Sequence, residues 1–137
     1  MKKTNKILIA TLIVILCAAA FLGGMLLSEG SRTKDYTVYI GTNDKDTGAQ
    51  ERPYEESKKI VSEICGRYVT AYTLMDANGY WTSPDGEIFI EQTVVCYLSG
   101  VEEAVVRSIA RDIVTELNQY SVMVTQNKTN TFFIESE

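Results

Sequence analysis

Apolar and polar residues alternate along Asp35-Tyr36-Thr37-Val38-Tyr39-Ile40-Gly41. That two-residue period predicts a half-buried strand. After a polar loop at 42–52 the period changes. Ile60, Val61, Ile64, Cys65, Tyr68 and Val69 form one stripe of an amphipathic helix. Pro53 suits the start of that helix, and Glu55 and Glu56 complement its N-terminal dipole. Segments 72–81 and 87–98 then read as two strands. Ser83-Pro84-Asp85-Gly86 between them carries turn chemistry, so the pair is a hairpin. Ser99 and Glu102 have the spacing of a capping box. Val105, Val106, Ile109, Ile113 and Leu117 continue as a second amphipathic helix, ended by residues 118–120. Residues 121–125 and 131–134 are strand-like, with a polar turn at 127–130.

The resulting order is β-α-β-β-α-β, with 131–134 as a candidate extra strand. Two helices of this spacing cover one face of a four-stranded antiparallel sheet, which is the ferredoxin-like α+β arrangement. Val94, Cys96 and Leu98 are expected toward the helices. Thr37, Tyr39, Thr93, Val95 and Tyr97 are expected on the open face. A Tyr/Thr/Val face of this kind is either solvated or covered by a ligand or a second subunit, which makes a homodimer through the open sheet face one expectation.

A different pattern precedes all this. Lys2, Lys3 and Lys6 lead into residues 7–27, which carry no charge. A bilayer-crossing helix needs about 20 apolar residues. We therefore expect a cytoplasmic N-terminus at 1–6, a transmembrane helix at 7–27, a tether at 28–34 and an extracytoplasmic domain at 35–137. The leading lysines orient the chain with its N-terminus inside, as a single-pass plasma-membrane protein. A cleaved signal peptide is the competing reading. Its apolar region is normally shorter, about 7–15 residues. A tether of this length keeps the domain within about 25 Å of the membrane, at roughly 3.3–3.6 Å per residue.

Charge narrows the partners. The chain has 13 Lys+Arg and 18 Asp+Glu, a net charge of −5. Without the N-terminal segment the balance is more acidic still, which argues against nucleic acid. The chain contains no histidine. His-containing zinc sites and Ser-His-Asp or Cys-His catalysis are thereby excluded. No cofactor or metal pattern stands out. Asp44, Asp46 and Glu55 fall at three calcium-loop positions, but the loop lacks the required glycine and a preceding helix. Cys65 and Cys96 would pair in an oxidising compartment, or serve as two separate buried small hydrophobes.

The most distinctive stretch is Ala71-Tyr72-Thr73-Leu74-Met75-Asp76-Ala77-Asn78-Gly79-Tyr80-Trp81, followed after the turn by Gly86-Glu87-Ile88-Phe89-Ile90-Glu91. It resembles a bacterial domain family of unknown function found in small secreted proteins and lipoproteins. The family pattern is G-x-T-V-x-D-A-x-G-x-W, then a glycine turn and I-x-x-E. Thr73, Asp76, Ala77, Gly79, Trp81, Gly86, Ile88 and Glu91 match, whereas Ala71 replaces a glycine. The resemblance implies a ferredoxin-like fold and no established activity.

From the residues themselves, Asn78-Gly79 within a strand suggests a bulge or a close backbone approach. Trp81 is expected opposite Ile88, which places Asp76 near Glu91. Two neighbouring carboxylates act as acid and base, bind a cation, or hydrogen-bond the local backbone. Two readings follow. One is a membrane-tethered ligand-binding or protein-interaction module using the open face or the 72–98 hairpin, with Tyr39, Tyr72, Asp76, Trp81, Glu91 and Tyr97 as candidate contacts. The other is a small extracytoplasmic enzyme using Asp76 and Glu91.

Overall fold

The computed structural model describes residues 32–136. The apolar run at 7–27 lies outside them. Among the described residues no helix is long and apolar enough to cross a membrane. Residues Thr33–Thr129 form one unit. The elements are β1 (Arg32–Gly41), α1 (Tyr54–Tyr68), β2 (Thr73–Thr82), β3 (Ile88–Ser99), α2 (Glu103–Glu116) and β4 (Met123–Asn130), all but the two end residues Arg32 and Asn130 lying within this unit. The strands form one sheet in the order β2-β3-β1-β4, the ferredoxin-like topology.

The alternation in β1 works as expected. Tyr36, Val38 and Ile40 point into the core with Val94, Cys96 and Leu98 of β3. The antiparallel register pairs Val38 with Cys96 and Ile40 with Val94. Val61, Ile64 and Cys65 from α1 close over them, with Val106, Ile109 and Ile113 from α2. Each such fully buried aliphatic side chain stabilises the fold by about 1.5–3 kcal/mol. Pro53 stands at the cap of α1 with φ −53°, and its carbonyl accepts from the Glu56 and Ser57 amides. Proline suits this place because its missing N–H would have no helical partner.

The second helix starts differently from the expected capping box. It begins at Glu103, with Glu102 at the cap and no side-chain cap bond. Ser99 instead ends β3, and its hydroxyl donates to Asp35 at 2.6 Å. Gly100 makes the corner with φ +68°, a conformation that L side chains resist. Asn118 takes φ 52° just past the helix end, where asparagine is tolerated.

The hairpin register also differs. Trp81 pairs with Phe89, not Ile88, and Ile88 pairs with Thr82. The connection runs over five residues, closed by Ser83 N–H to the Glu87 carbonyl at 2.9 Å. Pairing continues unbroken through Asn78–Gln92 and Gly79–Glu91, so there is no bulge. At the C-terminus the expected polar turn at 127–130 is strand: β4 runs through it. Residues 131–136 carry no regular secondary structure, so the extra strand is absent there.

Candidate functional site

A one-residue change of register moves a side chain to the other face of a sheet. That separates the two carboxylates that sequence spacing brought together. Asp76 pairs with Val94 and lies on the helix side, whereas Glu91 pairs with Gly79 and lies on the open side. Asp76 is held from α1 by Lys58 Nζ at 2.6 Å and the Tyr54 hydroxyl at 2.8 Å. The Lys58 ammonium, then the Tyr54 hydroxyl, hold its carboxyl below the usual range. Burial first, then the bond to Asp76, pushes the Tyr54 phenol up. The group is a strut between α1 and β2, and acid–base exchange between Asp76 and Glu91 has no geometric basis.

Tyr72 serves the same side. Its hydroxyl lies 2.7 Å from Ser62 Oγ and donates to the Ser62 carbonyl at 3.0 Å. Asp44 and Asp46 both accept from the Asn118 amide at 2.8 Å, which ties the 42–52 loop to the end of α2. Cys65 and Cys96 meet in the core with sulfurs 3.6 Å apart.

The sheet face away from the helices carries two polar centres, and it is exposed at its Trp81 end, whereas Asp35, Thr93 and Val95 on it are buried. At one end Asp35, only 5% exposed, accepts hydroxyls from Tyr97, Ser99 and Thr129, each at 2.6 Å. The Ser99 and Thr129 hydroxyls, then Tyr97, hold its carboxyl below the usual range. Asp35 raises the Tyr97 phenol in turn. Sequence reasoning missed Asp35. Its signal was a strand aspartate opposite a serine on the open face. Thr93 and Val95 follow along the face, each 7% exposed, with Tyr39 paired to Val95.

At the other end sits Glu91, and two glycines leave it room. A Cβ on Gly41 of β1 would fall 2.6 Å from the Glu91 carboxyl carbon. A Cβ on Gly79 of β2 would fall 3.3 Å from Glu91 Cγ and 2.6 Å from Thr93 Oγ1. Glu91 accepts a long bond of 3.5 Å from the Asn43 amide. The Thr42 hydroxyl fixes that loop by donating to the Gln92 carbonyl at 2.8 Å. Among the described residues no lysine or arginine forms an ion pair with Glu91. One pair further out, on the same face, Trp81 and Phe89 stack with centroids 4.2 Å apart and planes 8° from parallel. Trp81 is half exposed. A half-buried carboxylate with unspent acceptors therefore adjoins an open aromatic surface.

The opposite side of the hairpin tip is apolar too. Tyr80, Ile88 and Ile90 are each more than 60% exposed there. Elsewhere, a groove of about 530 Å³ between α2 and β4 is lined by Tyr36, Val106, Ala110, Val122 and Val124 among others. None of the candidate contacts Tyr39, Tyr72, Asp76, Trp81, Glu91 and Tyr97 lines it.

No family model matches the chain, and no curated protein matches it. Among solved structures, it is similar to a phage SAM lyase in complex with S-methyl-5'-thioadenosine. The TM-score is 0.56 at 16% identity, covering 74% of this chain and 84% of that one. The apo phage SAM lyase gives a TM-score of 0.53 at 17% identity, covering 73% and 83%. At these identities the likeness concerns the fold.

Proposed function

We propose that the open sheet face around Glu91 binds a small organic cation with a planar or apolar part, in a domain anchored outside the membrane by residues 7–27. The observation that carries this reading is the Glu91 carboxylate, cleared by Gly41 and Gly79 and unmatched by any described cation, beside the Trp81–Phe89 stack. A cation over an indole face gains about 0.5–2 kcal/mol, most when desolvated. A carboxylate within contact distance adds a charge-assisted interaction. S-adenosylmethionine has both features, a sulfonium charge and a planar base. The names of the two phage lyases support it as a probe.

The test is calorimetry on the full chain with S-adenosylmethionine and thiamine, two cations with planar groups. Binding of either, weakened at least tenfold by Glu91→Gln, supports the proposal. Absence of binding by both would remove it. Release of S-methyl-5'-thioadenosine in the same sample would extend the reading to a lyase.

A second reading is supported by Tyr80, Ile88 and Ile90. Exposed apolar residues on a hairpin whose outer strand, β2, is a sheet edge favour pairing with a second copy. Sedimentation of the same sample, with and without the cation, separates self-association from ligand binding.

A further inference from the structure

We propose that Cys65 and Cys96 are a site of reversible disulfide formation that locks α1 to the central strand β3. The two sulfurs lie 3.6 Å apart across the helix–sheet interface, both fully buried, and both are free thiols. Bonding requires a sulfur–sulfur distance of about 2.05 Å, an approach of roughly 1.5 Å between side chains already in contact. The bond would link positions 31 residues apart in sequence, joining α1 to β3, which the Tyr54 hydroxyl also ties together by donating to the Thr93 carbonyl at 3.3 Å.

The chemistry balances with an external disulfide as oxidant. The Cys65 thiolate attacks one sulfur of glutathione disulfide and releases one glutathione thiolate. Cys96 then gives up its proton, displaces the second glutathione, and completes the bond. Two protein thiols are oxidised and one disulfide is reduced to two thiols. Either thiol can donate to the other across the 3.6 Å contact, and that hydrogen bond favours ionisation of the accepting sulfur, Cys65 in the order written above, while it and burial push the donor Cys96 thiol up. Because neither sulfur is exposed, the exchange takes place while α1 is lifted from β3, during folding or local opening.

The inference is independent of any ligand at Glu91. To test it, the full chain carrying Cys17→Ser is unfolded, then refolded in a buffer of reduced and oxidised glutathione, and digested with trypsin. Cleavage after Arg67 separates the two cysteines. The expected product joins 60–67 to 68–107, loses two hydrogens in intact mass, and reverts with dithiothreitol. Its melting temperature exceeds that of the reduced protein by on the order of 10 °C, as expected for a loop of this length. Two thiols that stay titratable after unfolding, a glutathione adduct alone, or a link only between separate chains would overturn it. The same Cys17→Ser chain with and without dithiothreitol supplies the comparison, so no core variant has to fold.

Discussion

Asp35→Ala removes the one carboxylate that three hydroxyls share. Tyr97, Ser99 and Thr129 each donate to it at 2.6 Å, from strands on both sides of β1. Hydrogen bonds to a charged group contribute about 1.5–3 kcal/mol each, so three would reach about 4.5–9 kcal/mol if independent. They share one acceptor and are not additive. The Ser99 side of the cluster is also exposed and can turn to water. We therefore expect Asp35→Ala to cost about 2–4 kcal/mol and Asp35→Asn about 1–2 kcal/mol. For a domain of this size that is roughly 10–20 °C for the alanine variant. Urea unfolding of the full chain, read by tryptophan fluorescence, gives the numbers.

The pH dependence adds a signature. The hydroxyls of Ser99, Thr129 and Tyr97 hold the folded-state pKa of Asp35 below that of a free aspartate. Its contribution is therefore fully present above about pH 4 to 5, and is lost as pH falls through the lower folded value. Wild type should lose its advantage over Asp35→Asn on acidification. A cost under 0.5 kcal/mol, or parallel stability curves from pH 6 to 3, would refute the argument.

Gly41→Ala separates stability from the proposed site. Alanine in a strand gains about 0.5–1 kcal/mol over glycine, and displacing the flexible Glu91 carboxylate forfeits only a 3.5 Å contact. Unfolding free energy should stay within about 1 kcal/mol of wild type while affinity for the cation falls at least tenfold; unchanged affinity would contradict the placement. Tyr36→Phe should be neutral or stabilising by about 0.5–1.5 kcal/mol, because the Tyr36 hydroxyl is buried without a hydrogen-bond partner in the described structure. A loss above 1 kcal/mol in urea unfolding would show that the hydroxyl has one.

The architecture was legible because its periods are clear. Tyr36-Val38-Ile40 and Val94-Cys96-Leu98 alternate, and Val61-Ile64-Cys65 recurs at helical spacing. The faces of β1 and β3 follow directly. The relation of β2 to β3 did not follow, because it depends on turn length. Counting Ser83 to Gly86 as the whole turn paired Trp81 with Ile88, whereas Glu87 belongs to the turn and shifts every partner by one. That single residue puts Asp76 and Glu91 on opposite faces, where a four-residue turn would put them on the same one. β4 extends beyond what its pattern predicts for another reason. An edge strand with Asn127 and Lys128 has little apolar alternation, and its Thr129 is held by Asp35 instead. Ser99 illustrates the same competition: a good helix cap by pattern, it is taken by a buried carboxylate across the sheet.

In the proposed site Glu91 reads positive charge. The most direct measurement compares S-adenosylmethionine with S-adenosylhomocysteine, which lacks the sulfonium charge, on wild type and Glu91→Gln. Wild type should prefer the sulfonium at least tenfold, about 1.4 kcal/mol. The variant should bind both alike, so the preference collapses toward one. An undiminished preference in the variant, or none in wild type, would rule out Glu91 as the group that senses the charge.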